Sequence, residues 1–193
     1  MAELEVRRVR PDDADLLTDF YRGLSRESLR ARFLGQGTGI ADAAARTFCT
    51  LDHVHDEGFV AVAAQRSKAP SLVGHVCLVE CAPDALELGI AVADDWQGQG
   101  IGRRLFEVAL AWASRRGYQR IIATCFADNS RVLRLLTSAP LPPTIDYAGC
   151  GVVDVSIPLA PLGGDAGAGR TQRRQESHPV LSSAGVARTV GRR

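Results

Sequence analysis

The sequence predicts a single α/β domain of the mixed α+β kind, with helices flanking a sheet that holds one parallel pair near its middle. Three observations point there. Strand-like and helix-like segments interleave along the chain. A strand–helix–strand crossover occupies residues 85 to 126. The 193 residues are 46% hydrophobic and 23% charged, ordinary values for a globular domain with a sizeable core.

Each element has its own signal. "LEVRRVR" (residues 4–10) alternates as a half-buried strand does. Pro11 opens "PDDADLLTDFYRGL", where acids fill the first turn and Leu16, Leu17, Phe20 and Leu24 share a helical face. Ser25 is placed to cap a second helix, "RESLRARFL", which stops at "GQGTG"; "ADAAARTFCTL" forms a short third. "GFVAVAAQR" and "SLVGHVCLVE" read as an antiparallel pair about a turn at "SKAP". "ALELGIAV" is the next strand, "RRLFEVALAWASRRG" the crossover helix closed by Gly117, and "RIIATCF" the strand that follows. Asn129 caps "SRVLRLLTS", which "APLPP" cuts short, and "TIDYA" and "VVDVSIPL" are two strands around "GCG".

The net charge of +1 argues against bulk attraction to nucleic acid or an anionic membrane. It conceals an asymmetry. From Gly163 onward, six arginines accompany two acids and almost no apolar residues, the composition of a tail that cannot bury enough surface to fold. The expected organisation is a domain over residues 1–162 and a basic tail over 163–193. No apolar run approaches 18 residues, and the opening "MAELEVRRVR" does not resemble a signal segment. Cys49, Cys77, Cys81, Cys125 and Cys150 are odd in number and lack a CxxC pair, so they read as reduced thiols, each a small buried hydrophobe, in a cytoplasmic protein.

The stretch that carries chemistry is "DDWQGQGIGRRL", residues 94–105. Gly98, Gly100 and Gly102 remove Cβ atoms where a strand ends and a helix begins. Exposed N–H groups there, with the positive end of the helix dipole, make an anion site suited to a phosphate or pyrophosphate. There is no GxxxxGK[ST], and the spacing G-x-G-x-G departs from the dinucleotide fingerprint G-x-G-x-x-G.

Gln97, Gly100 and Gly102 match the Q/R-x-x-G-x-G/A motif of the GNAT superfamily of acetyl-CoA-dependent N-acetyltransferases. The string "ELGIAVADDWQGQGIGRRL", then "ADNSRVLRLL", most resembles the bacterial protein-lysine acetyltransferase branch, as do "LSRESLRARFLG" and "TLDHVHDEGFVAVAA". The likeness covers about residues 4–160 and is most specific in the glycine motif. It implies the GNAT fold, a mostly antiparallel sheet with one parallel pair, and acetyl-CoA as co-substrate without a metal. It further implies that backbone N–H groups of Gln97, Gly98, Gln99, Gly100, Ile101, Gly102 and Arg103 hold the pyrophosphate. The pantetheine arm would run strand-like beside Ile90, Ala91 and Val92, and Asn129 would contact it.

Acetyl transfer to an amine needs a base, because an ammonium with a reference pKa of about 10.4 is protonated at neutral pH. In "ALELGIAV" period-2 alternation puts Leu86, Leu88, Ile90 and Val92 on one face and Glu87, Gly89 and Ala91 on the other. Glu87 is thus one carboxylate beside small residues that leave room for a ligand. The lysine acetyltransferase branch likewise has a glutamate nine residues before the tryptophan of its glycine loop, the spacing of Glu87 and Trp96. One departure stands out. Many GNAT enzymes protonate the leaving thiolate with a tyrosine in the helix after the Asn129 position. Leu136 falls there, and Tyr147, Ser138 or a water could serve instead.

Other motifs weigh less. "DHVHDE" (residues 52–57) reads as a solvated loop rather than a metal site, His75 as a packed or half-exposed histidine, and Trp96 and Trp112 as packing residues. The sequence therefore predicts an acetyltransferase acting on a primary amine, foremost a protein lysine. The alternatives are a small-molecule amine acceptor and a weakly catalytic acyl-CoA-binding module. Binding to nucleic acid or membrane is not expected, and the oligomeric state is left open.

Overall fold

A computed structural model describes residues 3–35, 40–65 and 68–160; the basic tail expected over 163–193 lies outside the described residues. The order of elements is β1 (Glu3–Arg8), a 3-10 turn (Pro11–Asp13), α1 (Ala14–Arg22), α2 (Arg26–Arg32), α3 (Ile40–Phe48), β2 (Glu57–Gln65) and β3 (Lys68–Ala82). Then come β4 (Ala85–Val92), a second 3-10 turn (Asp94–Trp96), α4 (Ile101–Arg115), β5 (Arg120–Phe126), α5 (Ser130–Leu136), β6 (Thr144–Gly149) and β7 (Val152–Pro158).

Seven strands form one sheet in the order β1-β2-β3-β4-β5-β7-β6. Every neighbouring pair is antiparallel except β4 with β5, which the α4 crossover makes parallel. Several sequence boundaries move. Lys68, Ala69 and Pro70 of the expected turn already belong to β3, and the crossover helix starts two residues early, at Ile101.

The middle of the sheet buries both faces, which is why β2 reads as a nearly continuous apolar run. Phe59, Ala61 and Ala63 of β2 join Leu86 and Leu88 of β4 and Leu105, Phe106, Ala109 and Trp112 of α4 in one core. Val60 and Val62 face the other, built around Leu17, Phe20 and Tyr21 of α1, Phe33, and Ala44, Ala45 and Phe48 of α3. Each fully buried Leu or Phe contributes about 1.5–3 kcal/mol. The predicted caps form: Ser25 Oγ accepts from the N–H of Ser28, and Asn129 Oδ1 from that of Val132.

The "DHVHDE" segment departs from the expected solvated loop. Asp52 does cap an exposed turn, accepting N–H groups from Val54, His55 and Asp56. Glu57, however, begins β2 fully buried, held by His53 Nδ1 at 2.6 Å and Arg8 Nε at 3.0 Å. Among the described residues no cluster of His, Cys, Asp and Glu could hold a metal ion, and no helix is long and apolar enough to cross a membrane. Cys49, Cys77 and Cys125 are buried as expected, whereas Cys81 and Cys150 are exposed.

Candidate active site

The parallel pair opens partway along. β4 pairs with β5 only over Ala85–Glu87 against Arg120–Ile122, yet β4 remains bonded to β3 as far as Val92 and β5 to β7 as far as Phe126. Beyond Glu87 the two strands therefore diverge, and backbone groups of β4 that face β5 lose their strand partner. A cleft of about 660 Å³ occupies the opening. Its walls are α2, the outer half of β4, the glycine turn, the outer half of β5 and α5.

The glycine turn forms one end. Gly98 and Gly100 hold φ of 76° and 81°, the left-handed region that a glycine enters without a Cβ penalty. Gly100 is the N-cap of α4, and the first bond back to it comes from Arg104 N. The N–H groups of Ile101, Gly102 and Arg103 precede that bond and have no intrahelical acceptor. Three further groups brace the turn. Asp94 accepts from Ser25 N, Ser25 Oγ and Ser28 Oγ at 2.7–2.8 Å, fastening the start of α2 to the end of β4. Burial pushes the Asp94 carboxyl up, but the Ser25 N–H and the two serine hydroxyls outweigh it and leave the group below its ordinary value. Gln97 Nε2 donates to Val92 O at 3.1 Å and to Ser28 Oγ at 3.2 Å, and its Oε1 accepts from Arg131 of α5.

The sequence-derived positions distribute as follows. Ile90, Ala91, Val92, Gln97, Gly98, Gly100, Gly102, Arg103 and Asn129 line the cleft. Ile101 turns its side chain into the core at 2% exposure, and Gln99 is exposed, its Nε2 bonded to Asp95 O; neither lines the cleft. Glu87 stands at the vertex where the strands part, two residues from Gly89 on the same face and just beyond the lining of the cleft. Leu136 is fully buried beside the cleft, whereas Ser138 Oγ donates to Leu135 O and Tyr147 is 72% exposed on β6; neither of these two lines the cleft.

One cleft residue escaped the sequence reading. Arg32, in the last turn of α2, is only 5% exposed and lies across Gly89, where a Cβ would stand 2.6 Å from its Cζ. Its Nη2 donates to Cys77 Sγ at 3.1 Å, and its guanidinium lies over the rings of Phe33 and Phe48. Beneath it, Tyr21 Oη and His75 Nδ1 share a 2.8 Å hydrogen bond, and His75 is wholly buried. Burial, then the Arg32 charge, push the His75 ring well below its usual value, so it is neutral. The signal that could have found Arg32 is Gly89 itself, an isolated glycine inside a strand, which marks a close approach.

The open strand edge, the left-handed glycines and the free N–H groups of α4 fit an elongated ligand with a pyrophosphate. This is the arrangement of an acyl-CoA-binding fold. A model of the acetyltransferase (GNAT) family matches residues 23–138, and the chain belongs to that family, whose members use acetyl-CoA as co-substrate. The GNAT domain of S. lividans PAT is similar over 81% of this chain and 90% of that one, at 25% identity and a TM-score of 0.67. YncA of Salmonella typhimurium, solved with its cofactor acetyl-CoA, shares the fold at 16% identity, with a TM-score of 0.63 over 87% of this chain and 99% of that one. A mycothiol acetyltransferase of Jonesia denitrificans is 38% identical over 90 residues, 46% of this chain; the match spans 27% of that enzyme's length.

Proposed function

We propose that this protein transfers acetyl from acetyl-CoA to a primary amine, foremost a protein lysine, in the cytoplasm, with residues 1–162 as the catalytic domain and 163–193 outside it. The observation that carries the reading is the parting of β4 and β5 immediately after Glu87, with the glycine turn at the far end of the same strand. Acetyl-CoA supplies an activated thioester. The N–H groups from Gln97 to Arg103 hold its pyrophosphate, the unpaired edge of β4 at Ile90, Ala91 and Val92 takes the pantetheine arm, and Asn129 borders that arm. Glu87 removes the proton from the acceptor ammonium, so that the free amine attacks. Solvent supplies the proton to the leaving thiolate, because the Leu136 position offers no acid.

A small-molecule amine is the second reading for the acceptor, favoured by the likeness to an enzyme named for mycothiol. The test is acetyl-CoA turnover against lysine-containing proteins and small amines, read by mass spectrometry of the acceptors. Acetylated lysine in a protein supports the first reading. Acetylation confined to small amines transfers the activity to the second, and CoA binding without turnover on any amine overturns both.

A further inference from the structure

Arg32 is a buried cation in the wall of the cleft that the reaction scheme above leaves unused. The groups that hold it carry no charge. Its guanidinium is hydrogen-bonded to the Tyr21 hydroxyl, Nη2 donates to Cys77 Sγ at 3.1 Å, and the rings of Phe33 and Phe48 lie beside it. Burial pushes the Tyr21 hydroxyl and the Cys77 thiol up and the His75 ring down, so all three are neutral. Nε is buried without an acceptor, and among the described residues no carboxylate lies within ion-pair distance of Arg32. Glu87 acts on it through space, and Glu27, Asp94 and Asp128 line the cleft at exposed positions. A desolvated guanidinium in this state is costly, and its planar fork of donors matches a carboxylate.

The cleft has two halves, set by the two faces of β4. Val92 points toward α4 and α5, where a Cβ on Gly102 would touch both Val92 and Leu135, and this half belongs to the glycine turn. Glu87, Gly89 and Ala91 point the other way, toward α2 and Arg32. The guanidinium covers Gly89, one strand repeat of about 7 Å from Glu87, a span that a short linker between an amine and a carboxylate bridges. The other arginines near this face are engaged at exposed positions. Arg120 pairs with Asp84 at 3.4 Å, and Arg30 lies over the Phe126 ring, 4.0 Å from its centroid. We propose that Arg32 recognises an anion in the acceptor half of the cleft, so that the accepted amine has a carboxylate close to it. That carboxylate belongs either to the same small molecule or to an acidic residue beside an acceptor lysine. The inference rests on the reading of acetyl transfer to an amine at Glu87. Gly89 completes the site, because a Cβ there would stand 2.6–2.7 Å from Cζ, Nη1 and Nη2 and displace the fork.

The experiment measures kcat/KM of the full-length protein with acetyl-CoA on two matched pairs of acceptors, each with a single amine. One pair is γ-aminobutyrate and γ-aminobutyramide; the other is a Lys-Glu and a Lys-Gln dipeptide, both acetylated at the N-terminus and amidated at the C-terminus. Wild type should favour the carboxylate member of at least one pair by about 10-fold to 100-fold, the worth of a hydrogen bond to a charged group. Preference in the first pair marks a small amino acid, and in the second an acidic neighbour of lysine. In Arg32→Gln the ratio should fall toward one, and Arg32→Lys, which keeps the charge but not the fork, should fall between. Gly89→Ala should lower the ratio with Arg32 still present, and it provides the answer if Arg32→Gln fails to fold. A wild-type ratio near one in both pairs, or a ratio that survives in the folded variants, overturns the proposal and leaves transfer to an amine standing. So does turnover on other amines with none of these four. Turnover on no amine at all overturns that reading, and this inference with it.

Discussion

Ser28 Oγ donates to Asp94 Oδ1 across 2.7 Å, joining a helix from the first third of the chain to the turn that precedes α4. With the two Ser25 bonds to the same carboxylate, it makes Asp94 the fastening between α2, which carries Arg32, and the glycine turn. Asp94 is exposed, so its charge is screened and the contribution is modest.

Asp94→Ala should lower the melting temperature by about 2–4 °C, the shift expected from a loss near 1 kcal/mol in a domain of this size. Its folded pKa is depressed, so the stabilisation is complete above the unfolded value of about 3.9 and is lost only as pH falls through the folded value. The gap between wild type and variant should therefore stay constant from pH 7 to pH 5 in thermal melts. A gap that narrows over that range would show that the carboxylate is not what holds α2 down.

The two glycines of the motif should respond differently. Gly100 has φ of 81° and open space around a built Cβ, so Gly100→Ala is strained by its backbone rather than by a clash. The cost is about 1–2 kcal/mol, with a lower melting temperature and weaker acetyl-CoA binding. Gly102 is helical, and its Cβ would make ordinary contacts of 3.6 and 3.7 Å with Val92 and Leu135. Gly102→Ala should keep or slightly raise the melting temperature, since alanine favours helix, while weakening acetyl-CoA binding by crowding the cleft. Calorimetric affinity and melts on the same samples separate the two. Unchanged affinity in both variants would remove the glycine turn from the ligand site.

His75 predicts a pH dependence of stability. The native ring resists protonation while the unfolded ring takes a proton near pH 6.5, so stability is complete above that value and falls as pH drops below it. His75→Gln should be less stable at pH 7, where the Tyr21 contact is altered. Below about pH 6 wild type should lose about 1.4 kcal/mol per pH unit relative to the variant. Urea midpoints at pH 7, 6 and 5 measure this. Parallel curves would mean that the buried ring already carries its proton or gains it freely.

What the sequence made legible was local. Strand parity in "ALELGIAV" put Glu87, Gly89 and Ala91 on one face, the strand ladder bears it out, and Ser25 and Asn129 cap the helices they were expected to cap. The residues that escaped gain their role from distant parts of the chain. Arg32 sits in "RESLRARFL", read from the sequence only as a capped helix, and it is buried by the packing of α2 over β4 and by the rings of Phe33 and Phe48. Asp94 reads as one of two acids before a glycine turn until serines 66 and 69 residues away are brought to it. Glu57 looked like loop because Arg8, its ion partner, belongs to a strand 49 residues earlier.

Glu87 is where strand parity, family spacing and the parting of the sheet meet, and Glu87→Gln tests its role most directly. Glutamine keeps the size and hydrogen-bonding capacity of the side chain but cannot take the ammonium proton. Turnover at neutral pH should fall by about 10²–10⁴-fold. Acetyl-CoA affinity should hardly move, because the glycine turn lies beyond the other end of β4. The deficit should shrink as pH rises toward the acceptor's own pKa, about 10.4 for a lysine, where free amine no longer has to be generated. A pH–rate profile of both proteins on one amine, with cofactor affinity measured alongside, is the check. Equal turnover at pH 7 with matched affinity would make Glu87 a bystander and pass the base to water held elsewhere in the cleft.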